Sequence, residues 1–179
     1  MDSARVLIVD DVESVADTYA LQLGEDYDVE VAYSGETALE AVDEDLDVVL
    51  LDRRMPEYSG EEVLLEIRDR GYAPMVALVT AVDPTPEAAA MPFDDYLIKP
   101  FTAEELRTTV ERLVEIAGAD ERVRELLAKR RRRTFLEANL PLEDLEYTAA
   151  YRELREAIES LETDLEAEGV DVGGPEVGR

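Results

Sequence analysis

Five polar side chains in this sequence stand directly at the ends of short apolar runs. Asp10 and Asp11 follow Val6-Leu7-Ile8-Val9, Asp52 follows Val48-Val49-Leu50-Leu51, Thr80 follows Met75-Val76-Ala77-Leu78-Val79, and Lys99 follows Tyr96-Leu97-Ile98. If those ends meet, three carboxylates repel one another unless a cation joins them. Hard carboxylate oxygens suit Mg²⁺, which keeps part of its water shell. A metal beside an ammonium and a hydroxyl is an arrangement for holding a phosphoryl group, with Asp52 available as a carboxylate nucleophile.

Whether they meet depends on the elements that carry them. Continuous apolar blocks are expected of strands covered on both faces. The alternating Val29-Glu30-Val31 reads as a half-exposed edge strand, and Tyr96-Leu97-Ile98 as a short fifth strand. Helical stretches lie between them, from Asp11 to about Leu23, Gly35 to Val42 and Glu61 to Arg70, and another begins at Thr102. Thr102 with Glu105 three residues on is a capping-box pattern. Five such βα units imply a doubly wound parallel sheet with helices on both sides. Ligands then bind at the carboxyl ends of the strands, where all five polar residues fall. Taken singly, Asp10 and Asp11 are ordinary helix caps, Thr80 a strand-end residue, Tyr96 a core aromatic and Lys99 a solvated base. Their joint placement at successive strand ends, in order, is what points to a site.

The segment from Thr80 to Tyr96 contains Pro84, Pro86 and Pro92. Proline in a helix interior removes a hydrogen bond and clashes with the preceding turn, so this crossover is expected to be short or irregular.

Composition narrows the chemistry. The 179 residues contain 45 acids and 18 bases, a formal charge of -27, yet 46% are hydrophobic and fall in periodic blocks. Disorder is therefore not expected. Such charge opposes compaction in dilute salt and suits a salt-rich cytoplasm, where the Debye length is about 3 Å at 1 M. Lys99 and Lys129 are the only lysines, and cysteine and histidine are absent. Disulfides, thiolate or imidazole metal sites, and Cys/His or Ser/His/Asp catalysis are excluded. The N-terminal residues show no basic leader, and no apolar run approaches membrane-spanning length, so a cytoplasmic location without membrane contact is expected.

Over residues 4–117 the sequence resembles the receiver domains of two-component response regulators. The resemblance is carried by Val9-Asp10-Asp11, by Leu51-Asp52-Arg53-Arg54-Met55-Pro56 with Gly60, by Val79-Thr80-Ala81, and by Asp94-Asp95-Tyr96-Leu97-Ile98-Lys99-Pro100-Phe101. It implies a flavodoxin-like sheet of strand order 2-1-3-4-5. Asp52 would be the phosphoacceptor, with Asp11 and the Arg54 carbonyl as further Mg²⁺ ligands and Asp10 holding metal-bound water. Lys99 and Thr80 would contact the phosphoryl oxygens, Tyr96 would be the aromatic switch, and Lys99-Pro100 would be cis. Turnover would be limited to hydrolysis of the chain's own aspartyl phosphate, so an enzyme acting on outside substrates is not expected. Arg54 and Val82, two positions beyond Asp52 and Thr80, are expected at the mouth of the site, where they would influence phosphoryl lifetime. The short 83–93 segment departs from the family, many of whose members carry a full helix there as an output surface.

Beyond Gly118 two long helices are expected, over roughly 120–138 and 143–168, as an α-helical hairpin. Tyr147, Tyr151, Leu154, Ile158, Leu161 and Leu165 recur at coiled-coil spacing. Arg122 to Arg133 holds seven bases against one acid, either a phosphate-binding patch or a face paired with the chain's own carboxylates. The second is favoured, because rising salt weakens phosphate contacts steeply. Residues 120–168 resemble the HalX domain, attached to receivers in haloarchaea and thought to act in transcription regulation. The organisation expected is a receiver at 1–118, a HalX-like hairpin at 119–168 and a flexible tail at 169–179. Expected partners are a sensor histidine kinase, a second copy or another helical protein, and DNA through the Arg122–Arg133 segment. The rival reading is a dimerisation or docking module that never touches DNA. Leu145 and Phe135 would need a surface beyond the hairpin itself, so the hairpin should self-associate or pack on its receiver.

Overall fold

A computed structural model describes residues 3–172 except Val82. Five parallel strands, β1 (Arg5–Val9), β2 (Asp28–Ala32), β3 (Val48–Asp52), β4 (Met75–Thr80) and β5 (Asp95–Ile98), form one sheet in the order β2-β1-β3-β4-β5. The crossovers carry α1 (Glu13–Leu23), α2 (Gly35–Ala41) and α3 (Gly60–Asp69), and α4 (Ala103–Ala117) follows β5. The doubly wound architecture and the strand order are those expected.

Strand alternation divides the core in two. Val6, Ile8, Val48, Leu50, Met75, Ala77 and Val79 face α1 and α4, where Leu106, Val110 and Leu113 are almost fully buried. Leu7, Val9, Val49, Leu51, Val76 and Leu78 face the opposite way, towards α2 and α3. Two helix starts are fixed by reciprocal caps, the expected Thr102–Glu105 box and a Ser59–Glu62 box on α3.

The β4–β5 crossover holds only a 3-10 turn at Pro86–Ala90, with Ala88 and Ala89 buried. One turn cannot roof the sheet as a full helix would. The remaining area is covered by the C-terminal helices, α5 (Glu121–Asn139), α6 (Leu142–Tyr147) and α7 (Ala149–Ala167). Leu126, Leu136, Leu145, Tyr151, Leu154, Ile158 and Leu165 join the same apolar cluster as β1, β3 and β4. The core thus crosses the boundary drawn at residue 118.

Two details depart from expectation, and a third takes the receiver-packing alternative. The stretch read as one helix over 143–168 is interrupted at Thr148, which is extended (φ -88, ψ 125). Leu145 and Tyr151 are six residues apart, which on an unbroken helix of about 100° per residue sets them roughly 120° apart. The break lets both point inward, at 0% and 1% exposure, and leaves Tyr147 out of the seam at 88%. Leu145 and Phe135 find their further surface within this chain, Leu145 in the shared core and Phe135 against Tyr96. Finally, the start of the expected tail is docked: Val170 and Val172 pack on the core, and Arg130 Nη1 donates to the Val172 carbonyl at 2.6 Å. Residues 173–179 lie outside the described residues.

Candidate phosphoryl-acceptor site

Parallel pairing in register brings the strand ends to one rim, with Val9 beside Leu51, Asp52 beside Val79, and Thr80 beside Ile98. Asp10, Asp52, Thr80 and Lys99 are thereby gathered. Lys99 Nζ donates to Asp10 Oδ2 at 2.9 Å and to Asp52 Oδ1 at 2.9 Å. The other Asp52 oxygen accepts from the Arg54 amide at 3.0 Å, and Asp10 Oδ1 accepts from the Val12 amide at 2.9 Å. The Lys99-Pro100 bond is cis.

Carboxylate oxygens of Asp10, Asp11 and Asp52 lie within 4.8 Å of one another. Asp10 and Asp52 are buried, whereas Asp11 is more open and makes no side-chain hydrogen bond among the described residues. An uncommitted hard-oxygen donor beside two partly committed ones fits a divalent ion such as Mg²⁺ that retains waters.

Burial pushes the Asp52 carboxyl up, opposed by the Lys99 hydrogen bond and charge. Burial alone would lower Lys99, but its bonds to Asp10 and Asp52 win and raise it to about 12. The two shifts pull in opposite senses on one ion pair. The geometry favours the charged pair, because the carboxylate accepts from an ammonium and a backbone amide together.

Gly60 presses on Asp52 from behind. A Cβ there would meet the Asp52 carbonyl oxygen at 2.2 Å, and the Gly60 amide donates to the Arg53 carbonyl at 3.0 Å. No side chain fits so close an approach to the Asp52 backbone.

Tyr96 and Thr80 are both buried, at 5% and 2% exposure, on the neighbouring strands β5 and β4. Arg53 Nη1 donates to the Tyr96 hydroxyl at 3.2 Å, while Arg53 Nε donates to Glu61 at 2.6 Å. Burial raises the Tyr96 hydroxyl, with Arg53 opposing. Arg53 stood in the quoted motif without a role. Its signal was adjacency to Asp52, but nothing in the sequence says which way its side chain turns. The Arg54 side chain is exposed, and Val82 lies outside the described residues.

The basic segment is largely occupied. Arg122 pairs with Asp164 and Glu168, Lys129 with Glu125, Arg130 with Glu162, Arg131 with Asp95 and Arg133 with Glu137. Arg132 is buried over the Phe93 ring and donates to the Phe93 carbonyl. Burial lowers it to about 10, with Asp94 pulling the other way. Pairing with the chain's own acids, the reading favoured from salt dependence, describes this face.

Residues 6–111 match the response regulator receiver domain, and residues 115–173 match the HalX domain. The chain belongs to the response regulator receiver family. A Haloferax volcanii protein whose name describes a candidate transcriptional regulator is 44% identical over 163 residues, 90% of this chain and 28% of its own length. Response regulator ArlR of Staphylococcus saprophyticus is 32% identical over 62% of this chain and 52% of its own. The receiver chain thus spans about a quarter to a half of these relatives. Among solved structures, Vibrio cholerae chemotaxis protein CheY4 aligns at TM-score 0.58 and 30% identity, covering 62% of this chain and 98% of that one. Thermotoga maritima response regulator TrrA in complex with Mg²⁺-BeF aligns at TM-score 0.54 and 32% identity, with the same coverage. No helix among the described residues of this chain is long and apolar enough to cross a membrane.

Proposed function

We propose that this receiver accepts a phosphoryl group on Asp52 from a sensor histidine kinase and uses it to control transcription through its HalX helices. The observation that carries the reading is the Asp52 carboxylate held at 2.9 Å by Lys99 inside the three-carboxylate cluster. An Asp52 oxygen attacks phosphorus, the bond to the donor's leaving group breaks, and an acyl phosphate results. Lys99 neutralises charge growing on the phosphoryl oxygens, and Thr80 donates its hydroxyl to one of them. Asp11, Asp52 and the Arg54 carbonyl would hold a Mg²⁺ ion, with Asp10 holding its bound water, and the ion would supply charge neutralisation. The only turnover is hydrolysis of the aspartyl phosphate, which the exposed Arg54 slows by screening. A small phosphodonor is expected to label the wild-type chain in Mg²⁺ but not Asp52→Asn, nor wild type in excess chelator. Efficient labelling of Asp52→Asn would overturn the assignment.

A second reading of the output, a protein-docking module that leaves DNA alone, is favoured by the internal pairing of the basic segment. Salt-dependent DNA binding by the phosphorylated chain separates the two.

A further inference from the structure

At the end of the sheet where β4 begins, a cavity of about 260 Å³ opens between the receiver and α5. Its receiver wall is Arg68 of α3, the Pro74-Met75 entry to β4, and Pro92; α5 forms the other wall. Met75 starts β4 and Thr80 ends it. At about 3.3 Å per residue the cavity lies roughly 17 Å along the strand from the Asp52 rim.

The charges around this cavity do not cancel within its walls. Arg68 pairs with Asp94 at 2.7 Å and Lys129 with Glu125 at 3.3 Å, while Glu121 is exposed. Arg124, half-buried, makes no side-chain hydrogen bond or ion pair among the described residues. Arg132 is 7% exposed, and its Nε and Nη2 both donate to the Phe93 carbonyl. Its Nη1 has no hydrogen bond among the described residues. That nitrogen is not sealed off, since the sealed donor without a partner is Arg133 Nε; the open space that Arg132 lines is the cavity. Burial works against the Arg132 charge, and the nearby Asp94 is already bonded to Arg68. A buried charge is stable only when it is paired.

We propose that this cavity binds a small dianionic oxyanion, a phosphate or short dicarboxylate, between Arg124 and Arg132. The two arginines stand on one face of α5 with Ala128 midway between them, each a neighbour of the alanine at i±4 spacing. The alanine methyl leaves the floor between them open. The volume falls below the roughly 300–1,000 Å³ of drug-sized pockets, so the occupant is small. A guanidinium fork matches two oxygens at once, a fit that a spherical chloride cannot return. Partly buried charges are screened less than exposed ones, so the site works in salt that strips open phosphate contacts. Because one wall is receiver and the other α5, the anion is held only while they are docked, and its binding favours the docked arrangement. None of this needs a phosphoryl group on Asp52.

The test uses the full chain in molar KCl with excess chelator, which keeps metal from the Asp52 rim. Inorganic phosphate or succinate replaces chloride at constant ionic strength, and binding is followed by backbone amide NMR. Saturable shifts are expected at Ala73 and Ala128, which line the cavity, with Asp10 and Val12 unmoved. Binding of either anion supports the site, and the tighter one names its class. Arg124→Gln, whose side chain has no partner to lose, is expected to weaken binding about tenfold. Arg132→Gln is expected to weaken it at least as much, and Arg124→Gln keeps the test decisive if the buried change unfolds the chain. Neither anion shifting Ala73 and Ala128 would overturn the site, as would wild-type affinity in Arg124→Gln. Shifts there with duplex DNA but with neither small anion would overturn it too, making these arginines a nucleic-acid contact.

Discussion

The sheet ends in two edges, and the chain treats them differently. Along β2 the outward residues Asp28 and Glu30 are exposed, and the edge is shielded by charge, including Glu30 opposite Arg5 at 3.9 Å. Along β5 the first residues, Asp95 and Tyr96, are buried at 1% and 5% beneath α5. α5 sets Ala128 on one side of the sheet and Leu126 and Leu136 on the other. Charged side chains keep an edge strand from pairing with another chain while costing little order. A helix does the same job and also brings side chains into contact with whatever the strand carries. Here the strand carries Tyr96 and leads to Lys99, so the edge covered by a helix is the one wired to the site.

Substitutions at the two edges should therefore differ sharply, and the strongest effect should come from Asp95. Asp95→Ala removes the shared carboxylate of Arg112 and Arg131, and stranding partners of a buried carboxylate costs about 3–5 kcal/mol. Denaturant unfolding in molar KCl is expected to show that loss; one below about 1 kcal/mol would mean that the α5 grip is superficial. Next comes Ile158→Ala on α7, which empties a fully buried position of the shared core at about 2–5 kcal/mol. It is expected to lower the midpoint of one cooperative transition for the whole chain, as Leu64→Ala on α3 would. Two resolved transitions would split the HalX helices from the receiver and break the comparison. The smallest effect belongs to the bare edge. Glu30→Gln is expected within about 0.5 kcal/mol of wild type, the range of surface substitutions. A larger change would show that the β2 edge depends on that charge for more than repelling neighbours.

Much of this was legible in the residues. Continuous apolar runs marked β1, β3 and β4 because both faces of those strands are covered, and alternation marked β2 because it is an edge. The acids, Thr80 and Lys99 were legible because parallel strands of similar length end at one rim. The crossover after β4 was betrayed by its prolines. What could not be read was where the C-terminal helices dock. A periodic stripe shows which face of a helix is apolar but not which surface covers it. Phe135 and Arg131 looked like any other members of their helix until α5 was laid along β5. The interruption at Thr148 was equally hidden, since the seam pattern continues through Tyr147 and only packing shows that Leu145, not Tyr147, turns inward. The Ser59–Glu62 cap was available by the same rule that found Thr102–Glu105.

The contact between α7 and the Pro86–Ala90 turn sets an order of events during synthesis. Translation proceeds at roughly 5–20 residues per second, so the stretch from the turn to Leu165 takes on the order of 4–15 s to appear. During that interval α4 joins α1 on one side of the nascent sheet, while Phe93, Ala88 and Ala89 await the C-terminal helices. The chain thus leaves synthesis with a sticky flank whose exposure time depends on translation speed. Slow codons between the two regions should lower soluble yield without changing a single residue.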